Sequence, residues 1–83
     1  MKRAIGADKL RLVEIREFWK EITGRDISAI SDPTYFKDKI LHIGVDNSAW
    51  LVEIDRMKKN IVAKINARFG EGFCSGIKLK IKG

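Results

Sequence analysis

The apolar positions along the chain change period four times, and each change marks an element. From about Asp8 to Thr23, Leu12, Ile15, Phe18, Trp19 and Ile22 recur at helical spacing while Glu14, Arg16, Glu17 and Lys20 fall largely elsewhere, which predicts one amphipathic helix ended by Gly24. In the stretch from Ile27 to Phe36, Ile27, Ala29 and Tyr35 alternate with polar residues, but Ser31-Asp32-Pro33 interrupts the pattern. Proline cannot donate to a sheet ladder, so the segment reads as an edge or bulged strand. Lys37-Asp38-Lys39 is a polar turn, after which Ile40 to Asp46 alternates, with Leu41, Ile43 and Val45 on one side and Ile40, His42 and Gly44 on the other. These two strands are expected to form a hairpin.

Side-chain oxygens in Asp46-Asn47-Ser48 are placed to cap a helix start, and Trp50, Ile54, Met57, Ile61, Ile65 and Phe69 follow at spacings of three and four. This second helix is expected to run to Phe69 and stop at Gly70. Gly76 to Lys82 alternates strictly, which turns Ile77, Leu79 and Ile81 to the core and Lys78, Lys80 and Lys82 to the opposite face. The order α-β-β-α-β predicts an α+β fold: helices on one face of a small mixed three-stranded sheet, with the last strand returning parallel to a hairpin strand.

Length and charge narrow the function. Eighty-three residues are expected to form one domain over 1–83, in which nearly every apolar side chain is needed for the core. Seventeen Lys and Arg against eleven Asp and Glu give a formal charge of +6, with a pI of about 9.7. That surplus favours polyanionic partners, nucleic acid first, with ordinary solubility charge as the alternative. Cys74 is the only cysteine, which removes an intramolecular disulfide and a cysteine metal cluster. Residues 1–8 meet Asp8 before any apolar run develops, and no segment approaches the ~20 apolar residues of a membrane span, so a cytoplasmic address is expected.

Catalytic chemistry is poorly represented. His42 is the only histidine and has no cysteine or paired carboxylates at ligand spacing, so no metal site or other cofactor is expected. Cys74 as a nucleophile would need His42 as its base. Gly70-Glu71-Gly72 lacks the Lys-Ser or Lys-Thr of a phosphate loop and is better placed to end a helix. The chain is not expected to be an enzyme.

Lys78, Lys80 and Lys82 stand about 6.6 to 6.8 Å apart on one strand face, similar to the spacing of successive phosphates in an extended single strand. Lys37 and Lys39 in the hairpin turn add charge, and Arg56 and Lys59 point away from the core of the second helix, so these seven residues are the nucleic-acid-binding candidates. Lining an edge strand with lysine also deters aggregation, which is the competing explanation. Trp50, Tyr35 and Phe36 are the aromatics available for base stacking. At the first turn of its helix Trp50 is also placed to staple that helix to the sheet. Lys58 sits between Ile54 and Ile61 on the apolar face, either snorkelling past the sheet edge or facing a partner. Trp50 and Lys58 are therefore the partner-binding candidates.

Several runs carry a family resemblance: Trp19-Lys20-Glu21-Ile22-Thr23-Gly24, Ser31-Asp32-Pro33, Lys39 through Ile54 with its Asn47-Ser48-Ala49-Trp50 helix start, Asn66-Ala67-Arg68-Phe69-Gly70, and Ile77-Lys78-Leu79-Lys80. Over about residues 12–83 the chain resembles the DciA family, bacterial proteins associated with loading or operating the replicative helicase DnaB. The resemblance implies a type II KH-like fold and the replicative helicase as a partner. It departs from a true KH domain in having no Gly-x-x-Gly clamp. Many family members carry a further disordered tail, whereas this chain stops at Gly83 after its last strand. The expected function is a non-enzymatic replication accessory domain that binds the helicase and also single-stranded or forked DNA without sequence preference. A KH-like RNA-binding module and a protein-interaction adaptor are the alternatives. The oligomeric state is not legible in the sequence.

Overall fold

A computed structural model describes residues 7–82; the amino-terminal residues read above for a leader lie, but for the last two, outside them. The chain forms α1 (Ala7–Glu17), α2 (Trp19–Thr23), α3 (Arg25–Ile30), β1 (Ser31–Lys37), β2 (Ile40–Val45), α4 (Ser48–Arg56), α5 (Lys58–Phe69) and β3 (Gly76–Ile81). The three strands make one mixed sheet in the order β1-β2-β3, with β1 antiparallel and β3 parallel to the central β2. This is the predicted α+β arrangement.

Each predicted helix is broken once. The first pauses at Phe18, beyond which Trp19 is buried in the core while Phe18 turns to Phe69, with ring centroids 6.1 Å apart. The second pauses at Met57, whose backbone N–H donates to the Ile54 carbonyl at 2.9 Å in a tightened turn. Ile54, Ile61 and Ile65 stay buried across that break. Asn47 caps α4 as expected, its side-chain oxygen accepting from the Trp50 N–H at 2.9 Å.

Two strand readings change. Residues 25–30, partly read as strand, form the short helix α3, with Ile27 buried and Ile30 half-buried at helical spacing. A run this short fits both periods, and tertiary contacts decide between them. At its end the Ser31 hydroxyl donates to the Ile27 carbonyl at 2.6 Å and accepts from the Trp19 indole N–H at 3.1 Å, so the strand begins only there. In β3, Ile77 is buried and Leu79 half-buried, but Ile81 is 43% exposed instead of in the core. The end of the strand runs past the cover that the helices give.

β1 is an edge strand and is bulged, as its proline implied. Pro33 pairs with Ile43 and Tyr35 with His42, which leaves Thr34 as the extra residue. Asp38 (φ 53°) and Lys39 (φ 66°) both take left-handed backbone, the signature of a two-residue type I′ hairpin turn. α1 lies along β1, while α4 and α5 pack on β2 and β3. Ile15, Trp19 and Ile22 from the first helices join Leu41, Ile43, Val45 and Ile77 of the sheet in one core. Among the described residues, no helix packs on the opposite face of the sheet.

Candidate nucleic-acid interface

The uncovered face follows from strand register. Leu41, Ile43 and Val45 point into the core, so Ile40, His42 and Gly44 point away from it. His42 is level with Lys78, and Gly44 with Lys80. On the other side of β2, Tyr35 is level with His42 and Lys37 with Ile40. The face therefore carries Lys37, Tyr35, His42, Lys78, Lys80 and Lys82 together.

Two glycines shape its floor. A Cβ on Gly44 would lie 3.0 Å from the Lys82 side chain, and one on Gly76 would lie 3.1 Å from Ile40 Cδ1, so each glycine is roofed by a neighbouring strand's side chain. The Lys82 stem crosses Gly44 and its ammonium pairs with Asp46 at 3.3 Å. Lys82 is thereby partly neutralised. Among the described residues, Lys37, Lys39, Lys59, Lys78, Lys80 and Arg56 form no ion pair and are exposed.

These cations do not make one surface. Lys39 occupies the hairpin tip, where its carbonyl accepts from the Ser75 N–H at 2.8 Å and holds the tip against the start of β3. Lys58 and Lys59 line a shallow depression with Val62, Gly76 and Ile77 beside the free edge of β3. Lys58 is half-exposed, with Val62 and Ile77 beside it and its ammonium paired with Asp55 at 3.0 Å. Arg56 ends α4 on the helical layer, away from the lysine row. Arg68 is occupied structurally, over the Phe18 ring at 3.9 Å and paired with Glu21 at 3.3 Å.

The aromatics also separate. Phe36 is buried and stacked on Phe73, with ring centroids 5.9 Å apart, so it is closed to a base. Trp50 is half-buried against the core and lines an open groove of about 730 Å³ between the α2–α3 junction and α4, with Ile27, Ala49 and Met57 beside it and Arg25, Asp26 and Glu53 as its charged residues. Tyr35 is 50% exposed and meets His42 edge-to-face, with centroids 5.1 Å apart. Sequence alternation gives Pro33 and Tyr35 the same side, but the bulge at Thr34 reverses the phase and puts Tyr35 on the lysine face. The bulge is implied by Pro33; its position is not.

Cys74 lies in the core, on the other side of the sheet from His42, so the two cannot act as nucleophile and base. Burial pushes its thiol pKa up, against the smaller opposing effect of backbone hydrogen bonds. Among the described residues no three His, Cys, Asp or Glu come together as a metal site, and no helix is long and apolar enough to cross a membrane.

The family model described as Dna[CI] antecedent, DciA, matches residues 1–79. The chain belongs to the DciA family. Similar proteins include a UPF0232 protein of Rhodococcus jostii (strain RHA1), 33% identical over 61 residues that are 74% of this chain and 32% of that protein. A UPF0232 protein of Mycolicibacterium paratuberculosis is 28% identical over 74% of this chain and 34% of its own length. The chain thus spans about a third of the length of these relatives. In this DciA domain the Asn47 cap at the start of α4 and the hydrogen bonds that Asn66 makes to Cys74 explain two of the runs that carry the family resemblance.

Proposed function

We propose that this chain is a non-enzymatic accessory domain of DNA replication that docks on the replicative helicase and holds single-stranded or forked DNA without sequence preference. Family membership supports the replication role, since DciA proteins are helicase-loading accessories and not an enzyme class. The uncovered lysine face supports the DNA role: Lys78 and Lys80 project from one strand with no acidic partner among the described residues, and Lys37 stands on the same face. The groove beside Trp50 supports protein docking, and it belongs to the helical side of the molecule. A polyanion on the sheet and a protein on the helices would not compete for the same residues.

The test is a titration of labelled single-stranded DNA, duplex DNA and RNA at several salt concentrations, with a pull-down of the helicase by wild type and by Trp50→Ala. Each phosphate neutralised on a single strand contributes about 0.7 to the slope of log K against log salt. Replacing Lys78, Lys80 and Lys82 with Gln is expected to weaken binding and flatten that slope by about 1.4, two phosphates' worth, because Lys82 is already committed to Asp46. Unchanged binding would make the lysine row an edge-protecting device. Preference for RNA would favour the KH-like RNA-binding alternative.

A further inference from the structure

We infer that the uncovered sheet face is a base-stacking site for single-stranded DNA, with Tyr35 as the stacking platform and Lys78 and Lys80 as the phosphate contacts. The inference rests on the nucleic-acid reading above and adds to it where the bases go. Tyr35, His42 and Lys78 occupy one row across the three strands, because His42 is level with both of the others. Tyr35 and Lys78 are thus two strand spacings apart, roughly 9.5 Å, and Lys80 lies one step further along β3. A strand laid along β3 would place its phosphates on the lysines and its bases across β2 towards Tyr35.

The ring is presented for such a contact. Half of its surface is exposed although it stands on a strand of the sheet and not in a loop, and His42 meets it edge-to-face at 69°. A large aromatic left exposed beside free cations suits a ligand with flat apolar faces and an anionic backbone. The floor continues that chemistry, since Ile40 covers Gly76 next to Lys37. The face has ends as well. Asp32, level with Gly44 and paired with Arg16 at 3.9 Å, and the Lys82–Asp46 pair just beyond that row bring negative charge to this end of the face. An acidic peptide would satisfy the lysines but gives no use to the ring, and a duplex keeps its bases out of reach of a flat face.

The test measures oligo-dT affinity by fluorescence anisotropy for the 83-residue chain, its Tyr35→Val and Tyr35→Phe variants and the lysine variant, beside an abasic oligonucleotide of equal length. Tyr35→Val keeps a strand-forming residue at an exposed position, and far-UV circular dichroism checks that it folds. Loss of one stacked base corresponds to a roughly 5- to 150-fold fall in affinity. The proposal expects that fall for Tyr35→Val on oligo-dT with an unchanged salt slope, near wild-type affinity for Tyr35→Phe, and no difference between Tyr35→Val and wild type on the abasic strand. Equal affinities of wild type and Tyr35→Val for oligo-dT, while the lysine variant still flattens the slope, would overturn the stacking site and leave the DNA-binding reading intact. No binding of wild type at low salt would overturn both.

Discussion

Removal of the Asn66 side chain should destabilise the fold through two hydrogen bonds at once. From α5 its side-chain N–H donates to the Cys74 carbonyl at 2.9 Å and its side-chain oxygen accepts from the Cys74 N–H at 2.8 Å, so one amide satisfies both backbone groups of a buried residue eight positions on. The intervening loop turns through Gly70 (φ 127°) and Gly72 (φ 79°) and has no ladder of its own, so this clamp sets where β3 begins. Asn66→Ala strands a donor and an acceptor, each worth about 1–3 kcal/mol when left buried without a partner. The site is partly open to water, which places the expected total near the low end, about 2 kcal/mol. For a domain of this size that is a fall in Tm of roughly 8–16 °C. Asn66→Asp is the sharper test, because it is nearly isosteric and keeps the acceptor while setting a carboxylate oxygen against the Cys74 carbonyl. It should be no better than Ala. Urea unfolding followed by far-UV circular dichroism measures both. An Asn66→Asp protein within about 0.5 kcal/mol of wild type, the range of an ordinary surface substitution, would refute the clamp.

Two further perturbations test the fold. Ser31→Ala leaves the buried Trp19 indole N–H and the Ile27 carbonyl without their shared partner and should cost about 1–3 kcal/mol. Much of that cost should vanish in a Trp19→Phe background, and strict additivity in the double-mutant cycle would exclude the relay. Lys39→Gly relieves a left-handed lysine at the hairpin tip and should stabilise by about 1 kcal/mol, raising Tm by roughly 4–8 °C. The Ser75 bonds to the Lys39 backbone carbonyl survive that change, so a loss of stability would mean that the lysine side chain matters there.

What was legible in the sequence depended on how long each pattern ran. The alternation of Leu41, Ile43 and Val45 fixes an element and its buried face; the stripe from Ile54 to Ile65 fixes the buried face but not the break between α4 and α5, and the alternation in β3 fixes the strand but not the exposure of Ile81. The lysine row was legible for the same reason. α3 was not, because six residues carry too few repeats to separate a helix from a strand. The breaks at Phe18 and Met57 leave the apolar stripe intact, so local periodicity does not encode them, and the pairing of Lys58 with Asp55 was not legible either. The bulge at Thr34 matters most for the proposed DNA-binding face. A one-residue slip exchanges the two faces of a strand, and here it sends Phe36 into the core and Tyr35 out beside the lysines.

The two edges of the sheet are protected by different means, and the difference bears on what the lysines do. β1 carries Pro33, which has no N–H to offer a further strand, the bulge at Thr34, and α1 lying alongside, where Arg16 reaches Asp32. β3 has no proline and no bulge, and its free edge is guarded by charge alone. A second copy of this chain adding to that edge would set lysine against lysine, a destabilising cross-strand pairing. The same charges attract a polyanion. Edge protection and the proposed polyanion binding would therefore be one electrostatic property seen by two kinds of partner, and a guard of lysines, unlike a proline, disfavours strand addition by a second copy while leaving the face open to the proposed DNA ligand.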